Sequence, residues 1–149
     1  MKSVETPDGI YVASRASIPA RAAMWREFRK EGVRINSTWI DEDGPGETDD
    51  FSQLWARIVQ EIAASRALVL YAEPGDFPLK GALVEVGMAL ALGKPVIACL
   101  PDVQVDYAGS MRPVGSWMAH WLVTRCDNID LAVQEAEIEA TPATAKREE

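Results

Sequence analysis

The sequence is poor in the residue types that most often hold metals or form crosslinks. Its 149 residues include one histidine, His120, and two cysteines, Cys99 and Cys126, and the cysteines have neither metal-ligand nor redox spacing. We expect both cysteines to be reduced core residues, since a cysteine in a buried strand usually behaves as a small apolar side chain. The acidic loop 41–50 also lacks a recognisable metal-ligand spacing. These absences predict a protein without a metal site.

Positive charge and long apolar runs are also scarce. The chain has 15 basic and 23 acidic side chains, a net charge of -8 and a pI near 4.7. We therefore expect no non-specific binding to nucleic acid or to anionic membranes. No apolar run reaches the roughly 18 residues needed to cross a bilayer. The stretch "MKSVETPDGI" lacks the apolar centre of a secretory signal, so we expect a cytoplasmic location.

Short apolar segments alternate along the chain with amphipathic segments of helical period. This alternation predicts one flavodoxin-like or Rossmann-like α/β domain over residues 1–140, with helices on both faces of a parallel five-stranded sheet. Residues 141–149 are predicted to form a disordered tail. In such a sheet the ligand crevice lies beyond the carboxyl ends of the strands. The predicted strands are 10–14, 33–36, 67–71, 95–100 and 121–126, and the predicted helices are 19–32, 51–62, 80–93 and 128–140.

One charged residue interrupts the apolar segment "GALVEVGMALALG". This residue is Glu85, and its helical neighbours are Gly81, Ala82, Met88 and Ala89. A buried carboxylate is unfavourable unless it is paired or opens onto a cleft. Three of its four neighbours are small, so a flat ligand could approach it closely, and we predict that Gly81 and Met88 line the ligand site. The alternative is a glutamate on a solvated helix face, stabilised by the helix dipole.

The segment "KGALVEVGMALALGKPV" resembles the signature of the nucleoside 2-deoxyribosyltransferase-like family, which includes nucleoside 5'-monophosphate N-glycosidases. In that family a helix carries small residues around one glutamate and is followed by Gly-Lys-Pro-Val. The stretch "IYVASRAS" is similar to the family's first strand and turn, so the resemblance covers about residues 10–100. The matching positions are Gly81 or Ala82, Glu85, Gly87, Ala89, Gly93, Lys94, Pro95 and Val96.

The resemblance implies cleavage or base transfer at the N-glycosidic bond of a nucleoside or nucleoside 5'-monophosphate. Glu85 would attack the anomeric carbon of the sugar and the base would leave. Water or a second base would then resolve the covalent glycosyl-glutamate. The resemblance also implies that no metal or organic cofactor takes part, and that the chain forms a homodimer or a larger homo-oligomer.

Residues after the first two predicted strands receive binding roles from this resemblance. Ser14, Arg15 and Ser17 would surround the 5' end of the sugar and bind a phosphate there. Alternatively, Ser17 caps the first helix and Arg15 is a solvated surface residue. Trp39 would stack on a nucleobase, or else pack in the core, and Asp41 would contact a base edge.

The sequence departs from the family at the acidic residues. The family's aspartate at the start of the third strand falls near Ser65 or Arg66 here, and the aspartate six positions before the glutamate is replaced by Leu79. Asp76 and Glu73, which follow the third strand in "AEPGD", are the carboxylates that could protonate the leaving base or hold the sugar hydroxyls. Asp76 is therefore predicted to be catalytic and Glu73 to bind substrate.

Two other functions are compatible with the same residues. The pocket could sense a nucleotide without turnover, which the missing aspartate favours, or the chain could be an NAD-cleaving glycohydrolase of a related fold. Release of free base from nucleosides or monophosphates separates an enzyme from a binding module. Release of nicotinamide from NAD identifies the glycohydrolase.

Overall fold

The computed structural model describes residues 7–42 and 50–139, and within these ranges four parallel β-strands form one sheet. The strands lie side by side in chain order, so the parallel α/β architecture is confirmed and is consistent with a Rossmann-like fold. The strands are β1 Ile10–Ala13, β2 Ala67–Tyr71, β3 Val96–Cys99 and β4 Val123–Cys126. The helices are α1 Pro19–Lys30, α2 Phe51–Ala64, α3 Gly81–Ala91 and α4 Ile129–Glu139, and short 3-10 turns lie at Trp39–Asp41, Pro74–Asp76 and Ser116–Ala119.

The prediction of a fifth strand, at residues 33–36, is wrong. This segment forms only one parallel bridge, between Ile35 and Ile10 at the outer edge of β1. Beyond that bridge, side chains replace the backbone of a partner strand. The Ser37 hydroxyl accepts the Val12 N–H at 2.7 Å, and the Trp39 indole N–H donates to the Val12 carbonyl at 2.7 Å. The edge of β1 is thereby satisfied without further strand pairing.

Helices cover both faces of the sheet. Every residue of β1, β2 and β3 is buried, as expected for parallel strands between two helical layers. Helices α2 and α3 pack against each other, α3 also contacts β1, β2 and β3, and α4 packs on β2 and β3. Among the described residues, no helix has both the length and the apolar composition needed to span a membrane.

The helix starts differ in how their free N–H groups are satisfied. Helix α1 begins with Pro19, whose missing N–H needs no partner, and its N-cap residue is Ile18, without a capping side chain. Ser17 therefore does not cap α1, and that alternative for Ser17 is wrong. Helix α2 follows Asp50, whose carboxylate accepts the Gln53 N–H at 3.1 Å.

Strand β4 lies at the open edge of the sheet and is less buried than the other strands. Cys126 in β4 is half-buried, whereas its register partner Cys99 in β3 is fully buried. Both cysteines are free thiols. The prediction of a core cysteine is therefore confirmed for Cys99, while Cys126 lies at the sheet edge.

Some predicted segments extend beyond the described residues. Residues 43–49 of the acidic loop, the predicted tail 141–149, and residues 1–6 and 140 of the predicted domain all lie outside the described ranges. The domain limits therefore stay a prediction from the sequence.

Candidate active site

A cavity of about 330 Å³ lies beyond the carboxyl end of β1, between α2 and the start of α3. This is where the sequence predicts the ligand crevice of a parallel sheet. Its volume is in the usual range for small-molecule sites. The cavity is lined by residues 14–17, Trp39, Glu42, Phe51, Leu54, Trp55, Ile58, residues 79–82 and Glu85.

Glu85 is the buried carboxylate of this cavity. It lies in the second turn of α3 and is 8% exposed. The hydroxyl of Tyr11, a fully buried residue of β1, donates a hydrogen bond to its Oε1. A methyl group added at Gly81, one turn earlier, would lie 4.0 Å from Oε2 and 3.6 Å from the Trp55 ring. The glycine therefore keeps space open beside the second carboxylate oxygen.

The surroundings of Glu85 place its titration near neutrality. Burial is the largest effect and raises its pKa, the hydrogen bond from Tyr11 lowers it, and the charge of Glu61 raises it again, giving a pKa of about 7. Burial and the charge of Glu85 raise the pKa of Tyr11 well above its ordinary value, so this phenol stays protonated as the donor. A carboxylate of this kind can act as a nucleophile or exchange protons near pH 7.

The residues after β1 form the polar side of the cavity. The Ser14 hydroxyl accepts the Trp25 indole N–H at 3.0 Å and is buried. Arg15 and Ser17 lie farther out, and Arg15 Nε donates to the Ser17 hydroxyl at 3.3 Å. Lys80, at the start of α3, adds a second cation to the lining. Three predicted binding residues, Ser14, Arg15 and Ser17, thus lie together in the cavity lining.

Asp76 and Glu73 do not line the cavity. Both carboxylate oxygens of Asp76 accept hydrogen bonds from Arg21, at 2.8 and 2.9 Å. Burial raises the pKa of Asp76, but the hydrogen bonds from Arg21 and from the Glu73 N–H outweigh it, so the pKa lies below its usual range. Glu73 accepts a hydrogen bond from the Tyr71 hydroxyl and lies 3.6 Å from Arg21. An ionised, fully bonded Asp76 speaks against its predicted role as a proton donor.

Trp39 lies in the cavity lining, but its polar group is already engaged. Its indole N–H donates to the Val12 carbonyl, which leaves only the ring for a ligand. Asp41 lies outside the cavity lining, is exposed, and accepts hydrogen bonds from Arg29 at 2.7 and 2.8 Å. Met88 is half-buried against the core and is not part of the lining. The structure therefore brings Trp39 and Gly81 to Glu85, and leaves Asp41 and Met88 outside.

Several lining residues were not predicted as site residues. Phe51, Leu54, Trp55 and Ile58 belong to the apolar face of α2, and the sequence pattern alone does not distinguish a cavity lining from a core. Glu42 also lines the cavity and accepts a hydrogen bond from Arg57 at 2.7 Å.

The described residues offer no evident metal site. Across 7–42 and 50–139, no three His, Cys, Asp or Glu side chains converge in a way that could hold a metal ion. The cavity presents instead one buried carboxylate, aromatic rings and two cations.

Comparison with known proteins identifies the fold. No protein-family model and no curated protein matches the chain. Among solved structures, the chain is similar to a CMP N-glycosidase from Clostridium botulinum, BcmB, with a TM-score of 0.50 and 13% sequence identity. The match covers 87% of this chain and 98% of that chain. At this level of identity the similarity establishes a shared fold.

Proposed function

We propose that the protein cleaves the N-glycosidic bond of a nucleoside or nucleoside 5'-monophosphate, with Glu85 as the nucleophile. The proposal rests on the buried Glu85 carboxylate, which is held at one oxygen by Tyr11 and faces a small-molecule cavity beside Gly81. The fold shared with a CMP N-glycosidase supports the same reaction class.

The reaction proceeds by double displacement. An ionised oxygen of Glu85 attacks the anomeric carbon, and the base leaves with the electron pair of the glycosidic bond and takes up a proton. Water then attacks the same carbon and leaves its hydroxyl on the released sugar, its remaining proton replaces the one that the base took up from solvent, and the carboxylate is restored. A low-dielectric cavity strengthens the attraction between the carboxylate and the positive charge that develops on the sugar ring.

Tyr11 favours the ionised form of the Glu85 nucleophile at neutral pH. Burial alone would hold Glu85 protonated, and a protonated carboxyl is a poor nucleophile. The hydrogen bond from the Tyr11 hydroxyl favours the ionised form and fixes the direction of Oε1. With a pKa of about 7, a substantial fraction of Glu85 is ionised at physiological pH.

The cavity lining contains groups suited to two parts of a nucleotide, the base and the phosphate. The rings of Trp39 and Trp55 form an apolar surface on which a base can stack. Arg15 and Lys80 bring positive charge to the same lining and would favour a 5'-phosphate. In this proposal the base stacks on the rings, the phosphate binds these cations and the anomeric carbon lies at Glu85.

One observation favours a second candidate, a nucleotide-binding module without turnover. Asp76, the carboxylate expected to protonate the leaving base, is bonded to Arg21 through both oxygens. A site without a positioned acid can still bind a nucleotide, because binding needs only the aromatic and cationic lining.

The test measures the release of free base by chromatography. The protein is incubated with nucleosides, nucleoside 5'-monophosphates and NAD, beside Glu85→Gln and the surface control Glu27→Gln. We expect release to fall at least about 1000-fold in Glu85→Gln, as for loss of other nucleophiles, and to be unchanged in the control. Release that survives Glu85→Gln contradicts the proposal. Absence of release with intact nucleotide binding favours the binding module.

A further inference from the structure

Asp76 connects the loops that follow β1 and β2. Its side chain is 3% exposed and binds Arg21 of α1 through both oxygens. Oδ2 also accepts the Glu73 N–H at 3.1 Å, which closes the turn Pro74–Asp76 on itself. The main-chain carbonyl of Asp76 faces the β1 loop and accepts a hydrogen bond from Arg15 Nη1 at 3.1 Å. The turn therefore touches the cavity lining through Arg15.

Arg21 holds this turn in place. Its side chain is 12% exposed, and its guanidinium lies over the Tyr71 ring at 5.3 Å from the ring centroid. The hydrogen bond to Asp76 is the largest influence on Arg21 and raises its pKa, so both partners are charged. A bidentate ion pair between two largely buried side chains has little rotational freedom. The Asp76 carbonyl is consequently fixed relative to α1.

The fixed carbonyl restrains Arg15. Two donor groups of Arg15 are engaged, one by the Asp76 carbonyl and one by the Ser17 hydroxyl. A guanidinium has five N–H donors in a rigid plane, so the others are available to a ligand in the cavity. Because Arg21 neutralises the carboxylate of Asp76, the positive charge of Arg15 is not cancelled by its neighbour.

We propose that Asp76, held by Arg21, is a positioning residue for Arg15, and that the positioned Arg15 binds the 5'-phosphate of a nucleotide. The inference rests on the proposed function and refines it, because it selects nucleoside 5'-monophosphates over nucleosides. A pre-oriented guanidinium loses less side-chain entropy on bidentate binding of a phosphate than one that is free to rotate beforehand.

The test compares the dissociation constants of each nucleoside and its 5'-monophosphate by calorimetry. The proteins are the wild type, Asp76→Asn, Arg15→Ala, the double variant, and Asp8→Asn. Asp8 is the matched control because it pairs with Arg34 at 2.7 Å outside the cavity lining. We expect Asp76→Asn to weaken monophosphate binding about tenfold, the lower end for a charge-assisted hydrogen bond, and to leave nucleoside binding unchanged. In the Arg15→Ala background the same change should have no further effect.

Two results overturn the inference. One is an equal loss for nucleosides and monophosphates in Asp76→Asn, and the other is additivity of Asp76→Asn with Arg15→Ala. If circular dichroism shows that Asp76→Asn is unfolded, Arg21→Lys is measured in its place. A lysine keeps the positive charge but cannot form the bidentate pair with Asp76.

The inference and the proposed function fail separately. A wild type that binds nucleosides and monophosphates equally but releases base overturns the inference alone. A wild type that prefers monophosphates through Arg15 and Asp76, yet releases no base, supports the inference and contradicts the proposed function.

Discussion

Two carboxylates near the carboxyl edge of the sheet, Glu85 in α3 and Asp76 in the turn after β2, are buried to a similar degree but have opposite properties. Glu85 is 8% exposed and its pKa is raised to about 7, whereas Asp76 is 2% exposed and its pKa is lowered. Burial raises the pKa of both groups. Only at Asp76 is this effect of burial outweighed, by hydrogen bonds and by neighbouring cations.

The partners differ in charge. Glu85 receives a hydrogen bond from a neutral phenol, Tyr11, and is near the like charge of Glu61. Asp76 receives two hydrogen bonds from the guanidinium of Arg21 and one from a backbone N–H. The first environment leaves a carboxylate that changes its protonation near neutral pH. The second leaves a permanent anion that serves to hold other groups in place.

The largest expected effect is on stability, and it is expected for Asp76→Asn. A lowered pKa means that the carboxylate stabilises the folded state above its unfolded pKa, and that this contribution is lost as the pH falls. Removing the charge also leaves Arg21 without its buried partner. We expect a loss of about 3 kcal/mol in the free energy of unfolding at pH 7, measured by urea denaturation.

Glu85→Gln should change stability in the opposite direction. Because the folded pKa is about 7 against an ordinary 4.5, the wild type loses stability as the pH rises from 4.5 through 7. We expect Glu85→Gln to be more stable than the wild type at pH 8, by on the order of 3 kcal/mol, with little difference at pH 4. Destabilisation by both variants at pH 8 would show that the ionised form of each carboxylate stabilises the folded protein.

Tyr11→Phe tests whether the phenol sets the protonation of Glu85. We expect kcat/KM of the wild type to rise with pH and to level off above about pH 7, because only the ionised carboxylate attacks. Loss of the Tyr11 hydrogen bond removes a contribution that lowers the pKa, so the rising limb should move to higher pH. At pH 6.5 we expect a drop of about tenfold. A pH profile that does not move would assign Tyr11 to packing alone.

The smallest effect concerns the Trp55 ring, which lies near Gly81 in the cavity lining. Trp55→Leu keeps apolar bulk but removes a ring for stacking, so we expect about fivefold weaker binding of nucleosides and monophosphates alike. Trp121→Leu is the matched control, since Trp121 is 83% exposed and lies outside the cavity lining. A loss confined to monophosphates in Trp55→Leu would contradict the proposal that this ring stacks on the base.

Much of the fold follows from local pattern. The alternation of apolar and amphipathic segments predicts five strands and four α-helices, and the described residues contain four of those strands and all four α-helices. The exception is the segment at Ile35, whose composition suits a strand. Ser37 and Trp39, which follow it, bind the backbone of β1 with their side chains instead, and no periodicity indicates this.

The site was predictable in part. Glu85, Gly81 and the loop from Ser14 to Ser17 are recognisable because small residues, a charge in an apolar helix and a position after a strand are local features. Trp55 is not recognisable as a site residue from the sequence, since a helix face that lines a cavity has the same period as one that packs.

The sequence by itself determined that this protein has a parallel α/β sheet, and that Glu85 is the one charged residue in a nearly apolar helix. Only the tertiary structure decided which carboxylate is paired with a cation and which is not. Asp76 and Arg21 lie 55 positions apart in the chain and meet because α1 packs beside the turn after β2. Local composition governs whether a residue is buried, but the charge of its partner depends on how distant elements are packed together.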